Sequence, residues 1–314
     1  MAATSNTHNA FLYPAIRKAY FNHFTQLKSK ISTFYSIENS DKNFETMVQL
    51  GAMQDIPVFN GTLSKSQPNQ GYTKQVSMQR WGLQVEIERD LLEDDQTGAI
   101  RRGFSQGLAE SSRRTREKYA MEPFNGAFTA SGSGLGPDGV ALISAAHPTT
   151  ASSTLTFSNS LGTVPFTYAN LQSAVQTSLQ LRDDQGNPIS SMIDRILYHP
   201  AIHSRVLEAV ISTDRPDTGS RARSTVNGNL MERVEDEDSP KLKLTCSRYL
   251  TNPFRWFVMD EQLMKKFWMW FDREPVDVTK ASDWNTLMVL LAITWRCGRG
   301  FVDWRGVYGS NATA

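Results

Sequence analysis

The chain has 314 residues, of which 39% are hydrophobic and 21% are charged, and its formal net charge is +1. This length is sufficient for one large or two modest domains that bury a core without disulfides. The near-zero charge argues against a dedicated nucleic-acid-binding protein, which normally carries a basic excess on one face.

The cysteines and the N-terminus narrow the class of protein further. Cys246 and Cys297 lie far apart and neither belongs to a CxxC pair, so a disulfide framework or a structural zinc site has no support. The first residues lack the charged and apolar regions of a signal peptide, and no apolar run approaches the length of a membrane span. We therefore predict a protein that is made and stays in a cytoplasm-like setting, without a membrane partner.

The first part of the chain is predicted to form an arm followed by a long loop. Ile16, Tyr20 and Phe24 recur at helical spacing, which predicts one or two helices before residue 50. Turn-forming residues then follow, and the alternation in WGLQVEIE, residues 81 to 88, predicts a half-buried strand. Compact domains seldom carry so long a loop without a function, so it is predicted to be a lid or an arm that reaches another subunit.

The longest helical pattern runs from residue 91 to residue 122. Phe104 and Leu108 lie on a narrow apolar stripe, and Pro123 is predicted to end the helix. Acidic residues at its start and basic residues in its later part complement the helix dipole. A long helix with so narrow an apolar stripe leaves a charged face that is available to other chains.

The remainder alternates helices and strands. A helix is predicted around residues 171 to 179, a strand at DRILYH, and a further helix that begins at Pro200. Residues 212 to 240 are polar and predict a mobile loop or tip. The strings KLKLTCSRYL, RWFVMD, KKFWMWFD and LMVLLAITWRC predict an antiparallel sheet. Strands, a long helix and more strands, in this order, favour an α+β fold.

Two short patterns resemble catalytic or phosphate-binding motifs. The letters of the pattern G-x-G-x-x-G occur at Gly134, Gly136 and Gly139. A dinucleotide site also needs a strand before the pattern, a helix after it and an acidic residue for the ribose, and these are missing. We therefore predict a turn. His147 could serve as a base for Ser144, yet there is no G-x-S-x-G elbow and no acid nearby to orient the ring. We predict a structural histidine.

Other candidate sites also favour structural roles. His199 and His203 have a metal-ligand spacing, but a proline intervenes and no third ligand is evident. The acidic run EDED at 235 to 238 lacks the spacing of a calcium loop. The tryptophans of the strand-rich region favour packing over base stacking. We therefore predict no catalytic residue, no cofactor and no metal; the arm, long loop and charged helix favour a protein whose partners are copies of itself.

The sequence resembles the major capsid proteins of tailed bacteriophages, in particular the Mu-like major head subunit group with the Hong Kong 97-type capsid fold. The resemblance runs in order from about residue 11 to the end. It rests on YSIENSDKNFETMVQLGAMQDIPVFNGTL, QRWGLQVEIERDLLEDDQTG, PDGVALISAAHP, NPFRWFVMD and GFVDWRGVYGS.

The resemblance implies a division of the chain into an N-terminal arm, an extended E-loop that crosses an adjacent subunit, a peripheral P-domain with a long spine helix, and an axial A-domain. The implied ranges are 1–50 for the arm, 51–89 for the E-loop, 90–165 and 260–297 for the P-domain, and 166–259 and 298–314 for the A-domain. The candidate subunit contacts are Lys65, Tyr72 and Lys74 in the E-loop and Arg113, Arg114 and Arg116 on the spine helix.

The implied function is self-assembly into hexamers and pentamers that close an icosahedral shell around the phage genome. Many modest contacts would become cooperative through ring closure. The resemblance also implies a virion protein that is assembled in the host cytoplasm with scaffold, portal and decoration proteins, and that touches the genome only nonspecifically. Two alternatives stay open: a cytoplasmic hydrolase that uses His147, and a monomeric binding module.

Overall fold

The fold consists of helices packed on two separate four-stranded sheets. The computed structural model describes residues 5–53, 55–63, 65, 70–88, 90–91, 98–150, 155–212, 241–283 and 288–313. Within these residues the helices are α1 (Ser5–Gln26), α2 (Ile31–Phe34), α3 (Ala99–Asn125), α4 (Tyr168–Leu179), α5 (His203–Ile211) and α6 (Glu261–Phe267). The strands are β1 (Ser36–Asn39), β2 (Phe44–Leu50), β3 (Gln70–Ser77), β4 (Gln79–Glu88), β5 (His147–Pro148), β6 (Thr156–Phe157), β7 (Arg195–Tyr198), β8 (Lys243–Cys246), β9 (Trp256–Met259), β10 (Trp268–Ser282), β11 (Met288–Phe301) and β12 (Val307–Ser310).

The first sheet has the strand order β1-β10-β11-β4. The long strands β10 and β11 pair antiparallel, with register shifts on either side of Glu274. Buried residues alternate with half-buried ones along most of β11, because successive side chains of a strand point to opposite faces of the sheet. The helix α3 packs on this sheet: the Tyr119 ring lies 5.7 Å from Trp270 and 5.2 Å from Trp81. The main core forms where α3 meets this sheet, and it also includes Leu197 of β7 and Phe257 and Met259 of β9.

The second sheet has the order β12-β9-β7-β8, in which β7 and β8 are parallel. All four residues of β9 are buried, because helices and loops cover both of its faces. Leu171 of α4 and Val206 of α5 pack in one cluster with Ile196 and Trp256 of the sheet. The Thr167 hydroxyl caps α4 by accepting from the Asn170 amide, a common way to satisfy a helix start.

The bounds of two predicted elements require correction. The helix α3 begins at Ala99 and continues past Pro123 to Asn125; the missing proline N–H removes one bond in the last turn, and burial of Phe124 holds that turn on the core. Residues 261 to 267 form the helix α6, so the predicted strand KKFWMWFD begins at Trp268 and its first three residues belong to the helix. The physical reason is a cap: the Asp260 carboxylate accepts from the Gln262 and Leu263 amides at 2.9 and 3.0 Å.

Several other predicted helices and strands are present in the structure. The predicted strand at 81 to 88, the helix around 171 to 179 and the helix beginning at Pro200 are confirmed, the last one opening with a 3-10 turn. The sequence did not predict β1 and β2 inside the first 50 residues. The predicted tip lies almost entirely outside the described residues. None of the described helices is both long and apolar enough to cross a membrane.

Candidate assembly surface

The strands β2 and β3 pair antiparallel, and the residues described between them are exposed or half-buried. We use the name hairpin arm for β2, β3 and the described residues between them. Large apolar side chains lie in solvent along this arm. Their exposed fractions are Leu50 72%, Met53 65%, Ile56 98%, Val58 92%, Phe59 67% and Leu63 85%. We call these six residues the apolar strip. Concentrated exposure of this kind marks a protein contact surface, because isolated monomers seldom present it to water.

A small apolar cluster seats the hairpin arm on the first sheet. Met47 of β2 and Val76 of β3 are buried against Phe271 and Val302. Val76 can approach the sheet this closely because the facing residue is Gly300: an added Cβ there would lie 2.4 Å from the Val76 side chain. The arm is therefore fixed at its base while its apolar strip stays exposed.

A buried polar network also holds the base of the hairpin arm. Gln49 donates through Nε2 to the Asp303 carboxylate at 2.5 Å, and Arg305 donates to the same carboxylate at 2.9 Å. Arg305 also bridges to Asp184, whose second oxygen accepts from the Thr150 hydroxyl at 3.0 Å. Burial raises the pKa of Asp303, and the Arg305 guanidinium opposes this rise. We call Gln49, Asp184, Asp303 and Arg305 the basal network.

A groove of about 700 Å³ opens beside the base of the hairpin arm, and we call it the basal groove. Strand β2 forms one wall, and α6 and the start of β10 form the other. Its apolar lining comprises Met47, Val48, Leu50, Ala52, Ile189, Leu263, Phe267, Met269, Phe271 and Val302. Its charged lining outside the basal network comprises Glu38, Glu45, Asp183 and Lys266. The groove thus combines an apolar floor with a mostly acidic rim.

The three predicted contacts in the E-loop occupy different environments. Lys65 is exposed. Tyr72 donates its hydroxyl to the Pro148 carbonyl at 3.2 Å. Lys74 donates to the Leu135 carbonyl at 2.6 Å and lies 4.0 Å from the centre of the Phe301 ring. Burial and the nearby Arg299 guanidinium lower the Lys74 pKa to about 8. Tyr72 and Lys74 thus already have partners within the chain.

The three predicted contacts on α3 also differ in exposure. Arg113 donates to the Phe24 carbonyl at 2.9 Å, and its guanidinium lies over the Phe24 ring. Arg113 therefore joins α1 to α3. Arg116 donates to both oxygens of the Asp272 carboxylate at 3.0 Å and is buried. Arg114 is exposed. Of the three, Arg114 is the one that the folded chain leaves most available to a neighbour.

His147 has an acidic partner, contrary to the expectation that none lies nearby. Its Nδ1 lies 2.6 Å from the Asp138 carboxylate and its Nε2 lies 3.0 Å from the Asn159 side-chain oxygen. The ring is fully buried and stacks on Trp304 at 4.2 Å. A general base must reach its substrate, and this imidazole is enclosed on every side. The arrangement therefore supports the predicted structural role.

The remaining histidines and glycines have local structural roles. His199 accepts from the Ala201 amide, and His203 lies 2.9 Å from the Tyr198 hydroxyl. Gly139 adopts a left-handed φ of 81° in the turn where Gly136 donates to the Val140 carbonyl, as predicted for a turn. Among the described residues, no group of three or more His, Cys, Asp and Glu is placed to hold a metal ion; the EDED run lies outside them.

The apolar strip is the feature that the sequence-based list of contacts omitted. Its signal was present in the string MQDIPVFNGTL, where apolar residues occur in a segment rich in turn formers. Apolar residues in a predicted loop have no core of their own to enter, so they indicate a partner surface. The contacts predicted in the same loop, Lys65, Tyr72 and Lys74, are polar and do not include these apolar residues.

Comparison with known proteins places this architecture in a family. The phage capsid protein family matches residues 71–310, which is more than half of the chain. No curated protein matches the sequence. The solved capsid of Cyanophage P-SCSP1u is 11% identical, with a TM-score of 0.58 over 91% of this chain and 88% of that one.

Two further solved structures have comparable similarity. A structure from Microbacterium phage Oxtober96 is 12% identical, with a TM-score of 0.54 over 91% of this chain and 92% of that one. The capsid of a native GTA particle is also 12% identical, with a TM-score of 0.54 over 92% of both chains. The chain therefore belongs to the phage capsid protein family and has the Hong Kong 97-type fold of major capsid proteins.

Proposed function

We propose that this chain is the major head subunit of a phage and assembles into hexamers and pentamers that close an icosahedral shell around the genome. The family match over residues 71–310 is the observation that carries this proposal. The exposed apolar strip supports it, because such a surface suits a protein that spends its working life bound to copies of itself.

The proposed parts of the subunit follow from the implied division of the chain. Residues 1–50 act as the N-terminal arm and 51–89 as the E-loop, although β2 pairs with β3 and so extends the E-loop back to Phe44. The helix α3 is the spine helix of the P-domain, and β10 and β11 are its long strands. The sheet β12-β9-β7-β8 with α4 and α5 forms the A-domain.

The proposed energetics rest on many modest contacts. Burying one large apolar side chain contributes about 1.5–3 kcal/mol, so a neighbour that covers two or three residues of the apolar strip gains a useful but reversible affinity. Closure of rings and then of the shell makes these contacts cooperative. Lys65 and the exposed Arg114 add polar contacts at the edges, where each contributes up to about 1 kcal/mol.

We further propose that the chain is a structural protein without catalytic activity, located in the virion and assembled in the host cytoplasm. The burial of His147 supports this view over a hydrolase, and the apolar strip supports it over a monomeric binding module. Scaffold, portal and decoration proteins are proposed partners, and contact with the genome is proposed to be nonspecific. Membership of the Mu-like group stays a prediction from the sequence.

A triple substitution tests the role of the hairpin arm. In the variant I56S/V58S/F59S, the subunit should keep the unfolding free energy of the parent chain, because these side chains contribute little to its own core, yet it should fail to form shells. The control is L179S/I211S, which also replaces exposed apolar residues, 48% and 58% accessible, outside the arm. Urea denaturation measures folding and electron microscopy measures assembly. Normal shells from the triple variant would refute the assigned role.

A further inference from the structure

We propose that a second pocket, formed by the segment after α1, the middle of α3 and the end of β8, binds an oligophosphate. Its volume is about 590 Å³, and we call it the basic pocket. All of its residues belong to one chain, so the inference goes beyond the proposed function and does not depend on shell assembly. A free polyphosphate and the backbone of a nucleic acid both present the phosphate chemistry that this pocket fits.

Folding concentrates positive charge at the basic pocket. Its charged lining comprises Lys28, Lys30, Arg113, Arg114, Arg248, Glu110 and Glu117. These residues come from three separate parts of the sequence, and the whole chain has a formal net charge of only +1. The excess of cations over carboxylates is therefore a local property of the folded chain. A concave site lined mainly by one sign of charge attracts ligands of the opposite sign.

Both carboxylates in the lining already have partners within the chain. The Glu110 carboxylate lies 3.3 Å from Nε2 of His23. The Glu117 carboxylate accepts from the Ser29 hydroxyl at 2.8 Å and from the Lys30 amide at 2.9 Å. Glu117 is buried, so its charge serves to hold the segment after α1 on α3. These two carboxylates therefore do not compensate all the cations of the pocket.

Three cations of the lining have no ionic partner. Lys28, Arg114 and Arg248 are exposed, and none of them forms an ion pair with another residue in the described part of the chain. Arg113 is half-buried, and burial lowers the pKa of its guanidinium. An anion in the pocket would stabilise the charged form of Arg113 and give the three exposed cations a common partner.

The composition of the lining favours an oligophosphate over a carboxylate. A single carboxylate carries one negative charge and would leave at least two of the three unpaired cations without a partner. An oligophosphate carries several charges over a short length, and its oxygens suit both the planar fork of arginine and the point charge of lysine. Ser247 and Tyr249 also line the pocket and bring hydroxyl groups to it. A volume of about 590 Å³ lies within the range of small-molecule sites.

Isothermal titration calorimetry of this chain with sodium tripolyphosphate at low salt tests the inference. The test variant is K28Q/R248Q, which removes two of the unpaired cations and leaves Arg114 in place. The control is K18Q/R205Q, which removes the same charge from two exposed residues that do not line the basic pocket. Urea denaturation verifies that each variant folds as the parent chain does. The single variants K28Q and R248Q replace the double variant if it unfolds.

We expect the parent chain to bind tripolyphosphate and K28Q/R248Q to bind it about tenfold more weakly, because two charge-assisted contacts are lost. The control should change the affinity by at most about twofold, since screening limits the effect of distant charges. No binding of tripolyphosphate to the parent chain, or equal weakening in the test and control variants, would overturn the inference.

A second titration distinguishes the two sources of the phosphate chemistry. It uses a single-stranded oligonucleotide without terminal phosphates. If K28Q/R248Q weakens its binding as it weakens that of tripolyphosphate, the backbone of a nucleic acid is a ligand of the basic pocket. If the oligonucleotide does not bind, or binds to K28Q/R248Q as well as to the parent chain, the ligand is a free oligophosphate.

Discussion

At the scale of single residues, the basal network is the most demanding polar arrangement in the described chain. Asp303 and Arg305 are both buried, and their partners Gln49 and Asp184 come from distant parts of the sequence. Removing one member of such a group leaves a charge in the interior without its partner, which costs more than the intact pair contributes. The network therefore positions the hairpin arm and makes the fold sensitive to its loss.

Asp303→Ala should lower the unfolding free energy by about 3–5 kcal/mol, because Arg305 loses one of its two buried carboxylate partners. The measurement is urea denaturation of the dissociated subunit. Asp277→Ala is the matched control, since its ion pair with Arg17 lies about half exposed and should cost at most about 1 kcal/mol. A loss from Asp303→Ala as small as that of the control would show that the network does not hold the arm.

The sequence predicted some of these residues better than others. Both free cysteines and the buried tryptophans follow from composition and pattern. The contacts of the basal network do not, because Gln49 lies 254 positions from Asp303 and Asp184 lies 121 positions from Arg305. Only the folded chain brings these residues together. His147 shows the same limit at shorter range: Asp138 is nine residues away, but its orientation depends on the turn at Gly139.

At the scale of elements, the position of the hairpin arm depends on glycines in β11. Gly298 and Gly300 face Met78 and Val76, and an added Cβ at either position would lie under 3 Å from the facing side chain. Strand interiors normally disfavour glycine, so its presence where another backbone passes closely has a packing reason. The glycines let Val76 of β3 and the neighbouring Met78 pack closely on the sheet.

Gly300→Ala should destabilise the subunit by about 1–3 kcal/mol through overpacking against Val76 and should reduce shell yield, because it displaces the base of the arm. Gly82→Ala is the control: its added Cβ would meet Thr294 at an ordinary 3.4 Å, so stability should be unchanged or slightly higher. Urea denaturation and particle counts by electron microscopy measure both variants. Equal behaviour of the two would contradict this view of the arm.

Hydrophobic periodicity predicts the elements that bury one face. It does not reveal elements that depend on local hydrogen bonds or on pairing with a distant strand. The strand at 81 to 88 and the long helix were visible because burial alternates with their own repeat. The helix α6 depends on the Asp260 side-chain cap, which hydrophobic periodicity does not reveal. The strand β2 is defined by its pairing with β3, which starts some twenty residues later.

At the scale of the whole molecule, the two sheets share the main core, and the surfaces left exposed indicate a chain that works together with further copies. The first sheet with α3 and the second sheet with α4 and α5 bury their aromatic residues well. The apolar strip and the basal groove are the features that these cores do not satisfy. Fold class and family follow from the resemblance of ordered segments, whereas the apolar strip and the basal groove depend on how distant parts of the chain fold together.

The most direct test of the central claim is electron microscopy of the purified, concentrated chain, with its mass measured by light scattering. The account predicts shells, tubes or capsomer rings whose mass is a multiple of the 35.3 kDa subunit. A strictly monomeric species at every salt and protein concentration tested would contradict it.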